Sequence, residues 1–217
     1  MPTWTLARLE AQLGAGLSAL PGLPAQALMA PRPRRGWKAG QPPDHVRSAA
    51  ALVLFYPRRG DRPYLVLTVR AGVLSRHGGQ VSFPGGAIEP GEAVATAALR
   101  EAAEEVGIDR SVVRVVGALT PLHIPVSDFI VHPIVGMMDR TPEFTHAAAE
   151  VERVLEVPFE DLLDSGRICV TTRLREDELV EVPYFALEGE KVWGATAMML
   201  AELLCVVGAP PVVPRNS

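Results

Sequence analysis

The 217-residue sequence predicts an α+β domain, a mixed β-sheet sandwiched with helices. Three observations carry that expectation. Short β-rich apolar runs recur along the chain, one long Ala-rich segment free of Pro and Gly interrupts them, and strands and helices do not follow the βαβ alternation of a doubly wound sheet. With 48% hydrophobic and 21% charged residues the chain is not disordered throughout, and it shows no collagen period, heptad run or solenoid repeat.

From the amino end, Met1 to Leu20 reads as a short amphipathic helix with Leu6, Leu9, Leu13 and Leu17 on one side. Pro31 to Asp44, dense in Pro, Arg and Gly, is an irregular connector. Ala49 to Tyr56 and Tyr64 to Val69 form two neighbouring strands around the turn-like stretch Pro57 to Pro63. A Gly-rich loop spans Gly78 to Gly91. Glu92 to Val106 is the helix with the clearest signals, ending at Gly107. Val112 to Leu119, Phe129 to Met138 and Arg153 to Val157 follow as strands, and Phe159 to Asp164 as a short helix. Ile168 to Arg173 and Leu179 to Leu187 make a second strand pair. Thr196 to Val207 closes the fold as a helix buried through Met199, Leu200, Leu203 and Leu204. Residues 47–208 are thus expected as the domain, 1–46 as an N-terminal helix with an Arg/Pro-rich extension, and 209–217 as a tail.

The net charge of -4 argues against a nucleic-acid partner, but the charge is unevenly spread. Pro31 to Gln80 carries ten basic residues against Asp44 and Asp61, so an acidic remainder follows a basic segment. That segment is either solvated loop charge or a surface that draws a phosphorylated ligand toward an acidic centre. Cys169 and Cys205 lie far apart in apolar contexts, as expected of buried free thiols in a reducing compartment. Glu10, Pro21 and Pro24 argue against a signal peptide, and the apolar run Ala195 to Val207 is short and contains Glu202. A cytoplasmic protein without membrane insertion is expected; the oligomeric state is left open.

The Ala-rich helix contains Arg100-Glu101-Ala102-Ala103-Glu104-Glu105. At about 100° per residue, Glu104 falls about 60° to one side of Glu101 and Glu105 about 40° to the other. Three carboxylates thus share one face within about 6 Å of rise. Like charges so placed repel, and a hard divalent cation would convert that repulsion into coordination by oxygen ligands. Taken alone, the pattern also suits a solvent-facing acidic helix.

The preceding residues decide between these readings. Gly86, five residues, Glu92, seven residues, Arg100-Glu101, apolar Ala102, one residue, Glu104-Glu105, one residue, Gly107 and apolar Ile108 resemble the complete 23-residue signature of the Nudix hydrolases, with all seven fixed letters present. Ala102 is small for its apolar slot. The resemblance implies the Nudix fold, an α/β/α sandwich, and a loop-helix-loop that binds Mg²⁺ or Mn²⁺ and hydrolyses a nucleoside diphosphate linked to another moiety. Carried over by position, Glu101, Glu104 and Glu105 are the metal cluster, the Gly86 carbonyl is a further ligand, and Glu92 and Arg100 are an internal ion pair shaping the loop. The general base is Glu104 or Glu150, since its place differs among Nudix subfamilies.

Upstream, Leu67-Thr68-Val69-Arg70 and the run from Gly79 through Phe83-Pro84-Gly85-Gly86 look like the second signature of the coenzyme A pyrophosphatase branch. One departure is Ser75 where that signature has Arg, with Arg76 adjacent; a substrate duty there passes to Arg76 or is lost. Arg70, Arg76, His77, Gln80 and Phe83 are the expected substrate-binding residues, and coenzyme A, whose 3'-phosphate lies beyond its diphosphate, suits cationic forks outside the metal site. Ser127-Asp128-Phe129, Pro133 to Gly136, Glu156-Val157-Pro158 and Val192 to Ala197 extend the likeness over roughly Arg47 to Val207. A small-molecule substrate, coenzyme A or an acyl derivative, is expected. The alternatives are a broader hydrolase of ADP-ribose or NADH, and a nucleotide-sensing domain without hydrolysis.

Overall fold

A computed structural model describes residues 3–33, 46–72, 79–175 and 178–214, with the side chain of residue 175 excepted. Strand β1 (Arg47–Arg58) organises the molecule. It pairs antiparallel with β2 (Arg62–Arg70) and β4 (Gly85–Ala87), and parallel with β7 (Phe129–Met137). Beyond β2 lie β3 (Val81–Ser82) and β8 (Val151–Pro158), and beyond β7 lie β5 (Arg114–Ala118) and β6 (Leu122–Ile124), completing an eight-stranded mixed sheet. Strands β9 (Ile168–Arg175), β10 (Glu178–Leu187) and β11 (Glu190–Trp193) form a separate antiparallel sheet.

The two faces of the large sheet bury different partners, which explains why β1 reads as an unbroken apolar run. Ala51, Val53 and Phe55 enter a core shared with α1 (Leu6–Gly16), α4 (Phe159–Leu163) and α5 (Ala195–Val206). Ala50, Leu52, Leu54 and Tyr56 face α3 (Val94–Val106) on the other side. The expected sandwich is therefore present. Leu9 and Leu13 of α1 are fully buried in the main core, so this helix is packed into the domain.

Several boundaries differ from the sequence reading. α3 starts at Val94, because the Glu92 carboxylate accepts from the Glu89 N–H and is held by Arg100 instead of entering the helix. The Gly-rich loop contains β3 and β4, too short to show a period, and β6 escaped notice for the same reason. A one-turn helix α2 (Leu23–Gln26) follows α1. It docks through a buried network in which Glu202 of α5 accepts from the Gly22 N–H, Gln26 Nε2, the Thr120 N–H and the Thr120 hydroxyl. Cys169 and Cys205 are free thiols, half-buried rather than buried. Among the described residues no helix is long and apolar enough to cross a membrane.

Candidate active site

The site is built on α3 and the strand pair that faces it. Ala97, Ala98 and Ala102 are fully buried against the small Ala50 of β1, so the helix approaches the sheet closely. Ala102 is small because a larger residue would hold α3 away from that sheet. The helix ends where Gly107 adopts φ 71°, its N–H bonding the Ala103 carbonyl.

Close approach also governs β4. A Cβ on Gly85 would overlap the Ala50 carbonyl oxygen, and a Cβ on Gly86 would overlap the Glu101 carboxylate. The Glu101 carboxylate therefore rests directly against the Gly86 backbone.

Arg100 ties the loop to the helix. Its guanidinium donates to both Glu92 oxygens at 2.9 and 3.0 Å, to Glu101 at 2.8 Å, to Glu104 at 3.2 Å and to the Ala87 carbonyl at 3.1 Å. Hydrogen bonds from Arg100 hold the Glu92 carboxyl below the usual range, and those to Glu92 and Glu101 raise the arginine further. The ion pair expected between Glu92 and Arg100 is thus present and extends to two further carboxylates.

Glu105 differs from its neighbours in being 4% exposed. Its carboxylate accepts from the Gly85 N–H at 3.1 Å. Burial pushes its pKa up to about 7, Glu101 and Glu150 push the same way, and the Gly85 hydrogen bond and Arg70 oppose. Arg70, Glu101 and Glu150, scattered with Glu105 over 81 residues of sequence, therefore all act electrostatically on Glu105. Arg70 ends β2 at a register irregularity; its N–H donates to the Gln80 carbonyl and its carbonyl accepts from the Gly79 N–H. The Glu150 carbonyl accepts from the Ala71 N–H, which fixes that residue beside the end of β2 while its side chain reaches solvent.

Other expected site residues fall elsewhere. Phe83 is 3% exposed and packs with Val81, Ala197 and Met198 in the main core, so it anchors the loop instead of presenting a ring to a ligand. Gln80 is half-buried at the base of the loop. Arg76 and His77 lie outside the described residues. Glu104 is largely exposed beyond its bond to Arg100.

Among the described residues no group of three or more His, Cys, Asp or Glu side chains is arranged to hold a metal ion as it stands. The expected trio is divided, since Arg100 engages Glu101 and Glu104 while Glu105 turns to Gly85. The repulsion that the sequence assigned to a cation is relieved by Arg100 instead. The donors nevertheless fit a hard divalent ion: Glu105 is a buried carboxylate with no cationic side chain hydrogen-bonded to it among the described residues, and Glu101 lies against a Gly backbone without an intervening Cβ.

A mixed sheet sandwiched between helices, with glutamates of one helix set against a Gly-Gly strand, fits the Nudix hydrolase fold that the signature from Gly86 to Ile108 implies. More particularly, the chain belongs to the NUDIX domain family, whose model matches residues 46–181. A protein of Citrobacter koseri called "Uncharacterized Nudix hydrolase NudL" is 38% identical over 166 residues, covering 76% of this chain and 85% of that one. A Klebsiella pneumoniae protein of the same description is 38% identical over 177 residues, covering 79% and 90%. Among solved structures, the Nudix hydrolase RenU of M. smegmatis superposes with a TM-score of 0.50 at 18% identity over 78% of this chain and 90% of that one, a likeness of fold alone.

Proposed function

We propose that this protein hydrolyses the diphosphate of coenzyme A or its derivatives, releasing 3',5'-ADP and 4'-phosphopantetheine or its acylated form. The observation that supports this reading is the position of Arg70: a cation from the Leu67-Thr68-Val69-Arg70 run, close enough to act on Glu105 from outside the carboxylate cluster. A fork there binds a phosphate that the cluster does not neutralise.

Glu101, Glu104, Glu105 and the Gly86 carbonyl would hold the ions. Mg²⁺ or Mn²⁺ held there would supply positive charge to the diphosphate and lower the pKa of a water. Arg100 positions Glu101 and Glu104 by direct hydrogen bonds and fixes the loop through Glu92 and Ala87. Glu150, exposed yet felt by Glu105, takes the proton as water attacks phosphorus and the bridging P–O bond breaks. Glu104, already engaged by Arg100, is the second candidate. Arg76, His77 and Gln80 would add contacts along the basic loop.

Product chromatography tests the assignment, with the purified protein given Mg²⁺ or Mn²⁺ and, separately, coenzyme A, ADP-ribose, NADH and diadenosine tetraphosphate. Rapid release of 3',5'-ADP from coenzyme A, faster than any other cleavage, is the expected result. Equal or faster cleavage of another compound removes the coenzyme A assignment and keeps the chemistry, whereas no cleavage favours a nucleotide sensor.

A further inference from the structure

Gly86 on β4, Ala50 on β1 and His132 on β7 stand in one cross-strand row. Residues in register share a face of a sheet. Here it is the face beneath α3, because Ala50 and Ile134, two residues beyond His132, pack with Ala97, Ala98 and Ala102. The Glu101 carboxylate covers Gly86 from that side. The His132 imidazole therefore shares a face with Glu101, two strand spacings, or about 10 Å, from Gly86. Only the methyl of Ala50 lies between them in the row. Ser48 and Ile130, paired with each other, continue the same face two residues earlier on β1 and β7.

The His132 residue is half-buried, and its imidazole makes no hydrogen bond or ion pair among the described residues. Burial also lowers its pKa, so the ring is neutral at neutral pH and offers one donor and one acceptor. The two flanks of the Gly86 loop thus differ in chemistry. One carries Arg70; the other carries a neutral imidazole, an apolar Ile and a small hydroxyl.

We propose that the face formed by His132, Ile130 and Ser48 is the subsite for the uncharged organic arm of the substrate, with His132 as its specificity-determining hydrogen-bonding residue. The identity of that arm rests on the coenzyme A reading, in which it is the amide-bearing pantetheine chain. An amide matches a neutral imidazole as both donor and acceptor, and the 10 Å offset places the contact beyond the diphosphate.

Two measurements on the full chain test this. In NMR titrations with Mg²⁺ present, 4'-phosphopantetheine should move the His132 imidazole resonance, assigned with His132→Gln, and 3',5'-ADP should leave it in place. In steady-state kinetics, His132→Ala should raise KM for coenzyme A by about 3- to 10-fold with kcat little changed, the loss expected of one hydrogen bond. His132→Gln should recover most of that loss. Cleavage of the methyl ester of 3'-phospho-ADP, which keeps the phosphates and lacks the arm, should be unaffected by either variant. Equal effects on both substrates, no effect on either, or movement of His132 by 3',5'-ADP would overturn the subsite. If the wild type cleaves ADP-ribose and not coenzyme A, the coenzyme A reading alone fails. The subsite then requires that ribose 5-phosphate, and not AMP, moves the His132 resonance.

Discussion

Replacing Glu105 with Gln separates the cost of a buried carboxylate from its use. Without metal, holding this carboxyl at about 7 instead of the ordinary 4.5 makes its ionisation in the folded state about 3 kcal/mol less favourable. Between those two values the unfolded chain releases a proton that the folded chain keeps. Stability of the metal-free protein therefore falls as pH rises through this window, and the full penalty applies above it. Gln keeps an oxygen to accept the Gly85 N–H and carries no charge. In EDTA at pH 8, Glu105→Gln should melt higher than wild type by about 5 °C or more, using about 2–4 °C per kcal/mol for a chain of this size. At pH 4.5 the difference should vanish. Adding Mn²⁺ should raise the wild-type melting temperature strongly and the variant's little, because binding to the folded state repays the desolvated charge. Turnover of the variant should fall by orders of magnitude. Differential scanning calorimetry at the two pH values, with and without Mn²⁺, makes the measurement. A variant that melts lower than wild type in EDTA at pH 8, or that gains as much from Mn²⁺, refutes the argument.

Neighbouring glycines should fail in different ways. Gly85→Ala meets the Ala50 backbone and should destabilise the fold, whereas Gly86→Ala meets the movable Glu101 carboxylate and should weaken Mn²⁺ binding with a smaller change in melting temperature; calorimetric titration and thermal melts distinguish the two. Arg100→Ala releases Glu92, Glu101, Glu104 and the loop carbonyl together, and should lower kcat/KM by about 10²-fold, with Arg100→Lys recovering little because an ammonium lacks the planar fork. Glu202→Ala leaves the Gly22 and Thr120 N–H groups and Gln26 Nε2 without their buried acceptor, and should cost about 3 kcal/mol in urea unfolding and expose the α1–α2 segment to limited proteolysis.

Much of the fold was legible because burial imposes simple periods. β1 sits between two cores, so its sequence is a plain apolar run, and α3 packs Ala97, Ala98 and Ala102 against the sheet, so its Ala-rich character shows in the sequence. β3, β4 and β6, of two or three residues each, lie below the length at which alternation can be read. The Glu202 network was missed for another reason. A carboxylate in an apolar helix signals only that it must find partners, and these are supplied by Gly22, Gln26 and Thr120, more than 80 residues away.

Within the site, spacing along one helix revealed the carboxylates, since residues three and four apart must share a face. It could not show that they differ in environment. Glu104 is exposed and paired, Glu101 is pressed to a glycine, and Glu105 is buried and accepts from a backbone N–H. Those differences arise from β4, whose glycines admit two of the three carboxylates to the backbone, and from Arg100, which bridges Glu101 and Glu104. The same contrast gives the metal-free protein an electrostatic logic. Arg100 relieves the repulsion among the outer carboxylates, while Glu105 keeps a desolvated carboxyl whose ionisation a bound cation would favour.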